Sequence, residues 1–377
     1  MKMALAAILA IAPALAATEA VVARENPLLE LGSLPYQMPP FDRIHVSDYV
    51  PAFEEAMREQ LREVAAISHN PEPATFDNTI VALDHSGQAL QRVGFIFDEL
   101  NSNNTNDEMQ KIDTEMAPKR SAHRDAIYLD PALWKRVDAV SQKRASLKLD
   151  AESLQLLQRW HTRLVRAGAR LAPAEQARLR ALNAEIAALT TKFGQNVLKA
   201  TADGAIAIDN VQELDGLSAE QRSAAAQAAE ARGLKGKWLI RLENTTQQPV
   251  LAQLSNRALR ERIFRASVGR ALSGAADNRG VVTAIVEGRA QRAALLGYDT
   301  HAAYAIADES AATPAAAREL LLKIASAGIA RAKVEAADLQ QRWCHRRREY
   351  SLGSNASRTA SPMKTTSSSV AKRHASG

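Results

Sequence analysis

One cysteine, Cys344, stands in 377 residues. That excludes an intramolecular disulfide and any cysteine-based zinc cluster. Aromatic residues make up only 5% of the chain. No apolar run is long enough to span a bilayer, because the longest candidate, Ala4 to Ala12, falls well short of the roughly 20 residues needed. No Gly-rich phosphate loop and no G-x-S-x-G elbow occurs, so neither nucleotide-phosphate nor serine-hydrolase chemistry has its usual carrier. The histidines are His45, His69, His85, His123, His161, His301, His345 and His374. No two of them lie one helical turn apart, so the chain has no His-x3-His pair. Each lone histidine reads as a surface or packing residue, and His301, beside Tyr304, is the one to inspect. Cys344 lies among Arg342, His345, Arg346, Arg347 and Arg348. Such a field lowers a thiol pKa, but the residue reads as an accidental cysteine in a tail.

What is present favours helix. Apolar residues are 46% of the chain, inside the globular range, and alanine is abundant. The length allows a large core, or two or three ordinary domains. Residues 1–16 have the layout of a secretory signal: Lys2, the apolar run, the breaker Pro13, then the small-x-small site Ala14-Leu15-Ala16. The expected product is exported, periplasmic or secreted, and cytoplasmic if the signal goes unused. No membrane association is expected after cleavage.

Residues 17–45 are expected to form an extended arm with Pro27, Pro35, Pro39 and Pro40. Its Leu28, Leu29, Leu34, Tyr36 and Phe41 should pack across the helices behind it. Residues 46–341 read as one helical region. Ser47 starts a helix with Phe53, Met57, Leu61 and Val64 on one side. Thr75 or Asp77 caps the next, which turns Ile80, Leu83, Leu90, Val93 and Phe97 inward. Helices are expected over Glu108 to Asp125, Asp150 to Gly168 and Ala172 to Ala200, the last burying Leu179, Leu182, Ile186, Leu189, Phe193 and Val197.

The good strand signals are Ala205 to Asp209 and Trp238 to Leu242, so a small two-stranded ribbon is expected. Between them lies a helix with the capping box Ser218-x-x-Gln221, closed by Gly233.

The stretch from Asn278 to Ile329 organises the rest. Its first helix is expected to face inward with Val282, Ile285, Val286, Ala293 and Leu296, and to stop at Gly297. Thr300 caps a short helix over His301 to Ala307, with Tyr304 inside. Thr313-Pro314 starts a third helix with inner face Leu320, Leu321, Ile324 and Ile329. From these residues alone the fold is predominantly α-helical with a small β-ribbon, and no chemistry follows.

The same residues carry a resemblance. Gly288-Arg289-Ala290, Leu295-Leu296-Gly297-Tyr298, Ala303 to Asp308 and Thr313-Pro314 resemble the thimet oligopeptidase family of zinc metallopeptidases, in particular its peptidyl-dipeptidase branch. The likeness continues, in order and at natural spacing, through Pro39-Pro40-Phe41-Asp42, Tyr49 to Met57, Phe76 to Gly87, Asn104 to Asp107, His123 to Leu129, Leu182 to Ile186 and Asn256 to Phe264. It covers about residues 26 to 340. It implies a peptidase that releases dipeptides from the C-termini of oligopeptides, built as two helical lobes about a deep channel. It also implies zinc, held by two histidines and a glutamate of an HExxH helix and by a further glutamate.

None of that ligand set occurs in this chain. No catalytic, substrate-binding or metal-ligating residue is therefore assigned, and no zinc is expected to bind. Residues 342–377 depart from the family as well: they carry eight Lys/Arg against one acid, a net +7. The whole chain is +6, which leaves residues 1–341 near −1. Nucleic-acid binding needs a basic face on the fold, and here the positive charge lies in the tail, so no nucleic-acid partner is expected. The tail is expected to be disordered and out of frame, with the chain an inactive N-terminal part of the family fold. The missing C-terminal half, or a chaperone, is the expected partner for the uncovered faces of Ile285, Leu296, Leu321 and Ile324. A different reading is a non-catalytic helical module that binds peptides or proteins.

Overall fold

Helices begin where short polar side chains can take up free backbone amides. The computed structural model describes residues 24–30, 32 and 34–353, with side chains as far as 344. The proposed signal at 1–16, the first part of the arm and residues 354–377 lie outside them.

A single 3-10 turn, Val46–Asp48, leads into α1 (Tyr49–Ser68). A wide π-type turn, Phe76–Val81, is capped by Thr75, whose hydroxyl accepts from the Asn78 amide at 3.1 Å while the Asn78 side chain accepts from the Thr75 amide at 2.9 Å. It runs into α2 (Ala82–His85). Gly87, at φ 76°, then turns the chain into α3 (Gln88–Asn103). Asn106, Asp130 and Asp150 cap α4 (Asp107–Tyr128), α5 (Pro131–Gln142) and α6 (Ala151–Ala167) through their side-chain oxygens. The long α7 (Pro173–Asp203) follows, with proline in its first turn where no amide is lost.

The ribbon forms as the two strand signals require. β1 (Ile206–Ile208) pairs antiparallel with β2 (Trp238–Ile240), placing Ile206 opposite Ile240 and Ile208 opposite Trp238. Between the strands lies α8 (Ala219–Glu230), where Ser218 and Gln221 form the reciprocal capping box. The chain continues through α9 (Asn244–Gln253), α10 (Arg257–Val268) and α11 (Arg279–Leu295). Gly297, at φ 82°, ends α11, and the Tyr298 amide returns to the Ala293 carbonyl at 2.9 Å.

Three apolar clusters hold the residues up to His301. Tyr49, Phe53 and Phe97 meet edge to face, with ring centroids 5.1 and 5.4 Å apart, among Leu28, Val93 and Met116. A second cluster joins Ile80, Leu83, Leu133, Leu157 and Leu164. The third gathers on the ribbon from Leu214, Ile240, Leu242, Leu259 and Ile263.

The residues from Ala302 on form a separate compact unit, a boundary inside the stretch 46–341 that the sequence reads as one region. It comprises α12, which runs His301–Ile306, and α13 (Pro314–Gly353). Thr313 accepts from the Ala316 amide at 3.2 Å, the expected start.

Several expectations need correction. Leu28 is fully buried and its carbonyl takes a hydrogen bond from Arg92, but Leu34, Tyr36 and Phe41 are exposed. Only the first part of the described arm packs, because Tyr36 and Gln37 turn the chain through positive φ.

Val282 and Val286 are exposed, while Val281, Ile285, Gly288 and Ala293 are buried. The apolar residues of α11 fit two neighbouring stripes at helical spacing. The stripe containing Gly288 goes inward, because a Cβ there would stand 3.1 Å from Ile186 Cγ1 of α7. A side chain there would make Ile186 give way by a few tenths of an ångström, so glycine favours the close approach. Leu61 and Phe193 also lie on the exposed side of their helices.

Leu320, Leu321, Ile324 and Ile329 are not an inner face among the described residues: all four are exposed. Ile285 is buried and Leu296 half-buried, so neither adds to that open surface. The helix also does not stop near Gln341 but runs on to Gly353, through residues 342–352, which contain four arginines and no glycine or proline.

Candidate functional site

The zinc question comes first, because the resemblance raises it. Among the described residues no three His, Cys, Asp or Glu side chains come together as a ligand set. The histidines have other neighbours. His69 Nδ1 lies 3.0 Å from the Ala65 carbonyl. His123 Nε2 lies 2.7 Å from Gln60 Oε1, and His161 Nε2 lies 3.4 Å from Asp138 Oδ1. His301 is half-buried at the start of α12, and its pKa is lowered by burial and by the charges of Arg289 and Arg292. Cys344 is exposed, 3.6 Å from Gln340 Nε2. These donors do not fit a zinc ion, and no step is routed through one.

A cleft of about 540 Å³ opens among α1, α3, α4 and α6. The helix α4 contributes Arg120, His123, Arg124 and Tyr128, at i, i+3, i+4 and i+8, which is one helical face. Opposite them α3 contributes Gly94, Phe95 and Asp98, and α6 contributes Trp160 and Arg163. The Arg120 guanidinium lies against Gly94 and sits 5.3 Å from the Phe53 ring centroid. Arg120 donates to both Asp98 oxygens, at 2.9 and 3.0 Å, and that pairing raises its pKa further. Asp84 accepts from Trp160 Nε1 at 3.0 Å. The Arg163 guanidinium lies 5.3 Å over the Trp160 ring. Phe95 stands at the rim, 65% exposed.

His123 is buried on this wall. With Gln60 Oε1 accepting, Nε2 carries the proton and Nδ1 is a buried acceptor with no donor in reach. Burial first, and the charge of Arg124 second, push its pKa below the ordinary histidine value. The imidazole is thus neutral at pH 7. Gly87 makes this arrangement possible, since a Cβ there would fall 2.1 Å from Gln60 Nε2.

Also on α4, Asp125 is buried and accepts from Asn183 Nδ2 at 2.8 Å. Burial raises its pKa, against Asn183 and three nearby arginines.

Sequence analysis named none of the cleft residues as functional. The signal was present: polar and aromatic residues at i, i+3, i+4 and i+8 on α4, a stretch whose apolar pattern is weak. It takes the fold to show that α3 and α6 face it.

Comparison with known proteins now adds a lineage. Residues 250–355 match peptidase family M3. The chain is 44% identical over 316 residues to dipeptidyl carboxypeptidase of Escherichia coli (strain K12), covering 84% of this chain and 46% of that protein. It is 45% identical, over the same shares, to dipeptidyl carboxypeptidase of Salmonella typhimurium (strain LT2). Organellar oligopeptidase A of Arabidopsis thaliana is 27% identical over 319 residues, 82% of this chain and 40% of that protein. The chain spans about half the length of the curated relatives it matches.

Proposed function

The chain belongs to peptidase family M3, and from that premise we propose that it is part of a peptidyl-dipeptidase, which removes dipeptides from the C-termini of oligopeptides. One observation carries this reading: the identity to two dipeptidyl carboxypeptidases extends along 84% of the chain rather than over one motif. Oligopeptides are the substrates, and export to the periplasm through residues 1–16 belongs to the same reading. Among the described residues no helix is long and apolar enough to cross a membrane.

Zinc is the family's metal, and it lowers the barrier to attack by water on a peptide carbonyl. The 377 residues contain no His-x3-His pair, so the ligands and the general base are both missing from them. We assign these residues the part of the enzyme without the metal, and alone they hydrolyse nothing. The exposed apolar residues of α13 give the family's C-terminal half, or a chaperone, a surface to cover. The test is release of dipeptides from a blocked peptide by the purified chain, with zinc or with chelator. No release in either case supports the assignment, and chelator-sensitive release contradicts it.

The cleft favours a second reading, a non-catalytic module that holds peptides. Peptide binding without cleavage separates this reading from simple inactivity.

A further inference from the structure

The cleft among α1, α3, α4 and α6 holds more cations than anions. It presents three arginines, Arg120, Arg124 and Arg163, and two carboxylates, Asp84 and Asp98. Both carboxylates are engaged, Asp98 by Arg120 and Asp84 by the Trp160 indole. Among the described residues no carboxylate lies within ion-pair distance of Arg124 or Arg163.

Arg163 is held in place over Trp160, and Phe95 offers an exposed aromatic face at the rim. His123 is neutral, so it adds no charge, and its buried Nδ1 is an unpaired acceptor on the same wall. A volume of about 540 Å³ lies within the range of small-molecule sites.

We propose that this cleft binds a monoanionic carboxylate carried on an aromatic or apolar group, with the carboxylate at Arg124 and Arg163 and the apolar group against Trp160, Tyr128 and Phe95. The charge count selects the anion. One net positive charge balances one carboxylate, whereas a phosphate ester at pH 7 brings up to two negative charges. The lining selects the rest, since an apolar body gains by leaving water for aromatic surface. A peptide C-terminus and a free aromatic acid share this chemistry. The proposal rests on the cleft itself and needs no peptidase activity of the chain.

Calorimetric titration of the full chain tests it, with 3-phenylpropanoate, N-acetyl-Gly-Phe, the C-terminal amide of that dipeptide, and inorganic phosphate as probes. Both acids should bind if the chemistry alone is read, and only the peptide acid if the source is a peptide. The amide should bind at least about tenfold more weakly, the loss of one charge-assisted hydrogen bond. Arg124→Gln and Arg163→Gln should each weaken the acids about tenfold, while Lys143→Gln, on an exposed turn away from the cleft, changes nothing. Unchanged circular dichroism and melting show that the variants stay folded. Equal binding of acid and amide, binding untouched by the arginine variants, a preference for phosphate, or no heat at millimolar acid would each overturn the proposal. Peptide binding that survives both arginine variants overturns this proposal and shows that the chain holds peptides somewhere other than at these arginines.

Discussion

Arg136 of α5 is buried and holds four acceptors at once. It donates to the Asn70 and Glu72 carbonyls at 2.8 and 2.9 Å, to Asn78 Oδ1 at 2.9 Å and to Thr79 Oγ1 at 3.3 Å. One side chain thereby fixes the loop between α1 and the π-type turn. Arg136→Leu should cost about 3 kcal/mol, because a neutral chain leaves the part-buried Asn70 and Glu72 carbonyls without their donor. A urea denaturation curve reads this as a fall in midpoint at unchanged slope. A loss under about 0.5 kcal/mol would show that the loop holds itself.

Two buried titratable residues give opposite slopes with pH. The folded pKa of His123 is lowered, so below about 6.5 the unfolded chain takes up a proton that the folded chain refuses. The stability it contributes is present above pH 6.5 and is lost as pH falls toward the folded value. His123→Gln should flatten that decline. Asp125 has a raised folded pKa, so its contribution is present below 3.8 and is lost as pH rises through the folded value. Asp125→Asn should remove that second loss. Urea midpoints measured from pH 4 to 8 separate the two, and variants parallel to the parent chain would refute both assignments. None of this was legible in the sequence. A lone histidine reads as a packing residue, and only the fold brings Gln60, with Gly87 behind it, to its ring.

At the scale of elements, punctuation was legible and faces were less so. Ser218 with Gln221, Thr75 with Asn78, Gly297 and Thr313 all act where their chemistry places them, because capping is local. The ribbon is likewise where two short β-branched or apolar runs predict it. The faces of α11 were ambiguous, since Val281-Val282 and Ile285-Val286 offer two stripes at one period. A contact from another helix, at Gly288, decides between them.

Two predictions belong here. Gly87→Ala should destabilise by about 1–3 kcal/mol, since its φ of 76° is unfavourable for alanine and the new Cβ would displace Gln60. A melting curve unchanged within error would contradict that. Leu321 and Ile324 are 67% and 60% exposed on α13. The chain should therefore bind an apolar dye such as anilinonaphthalene sulfonate, and Leu321→Glu with Ile324→Lys should cut that fluorescence without loss of helical dichroism. No dye binding by the parent chain would mean that this surface is covered in solution.

At the scale of the whole molecule, family and chemistry separate. Resemblance at scattered segments, from Pro39-Pro40-Phe41-Asp42 to Thr313-Pro314, pointed to the same peptidase family that the comparisons match, before any fold was seen. It could do so because each segment keeps its order and spacing along the chain. A zinc site was not legible because no His-x3-His pair stands in the sequence to signal one. The cleft escaped notice for another reason: its residues come from five helices, α1 to α4 and α6, and no single window of sequence holds them.

The most direct test of the account is therefore chemical. The purified chain, free of host peptidases, is incubated with an N-blocked oligopeptide, with added zinc in one arm and a chelator in the other, and dipeptides are measured by mass spectrometry. The account predicts no release above background in either arm and less than one equivalent of tightly bound zinc. Dipeptide release that zinc supports and the chelator abolishes would contradict it, because a working metal centre would then have formed from the residues of this chain.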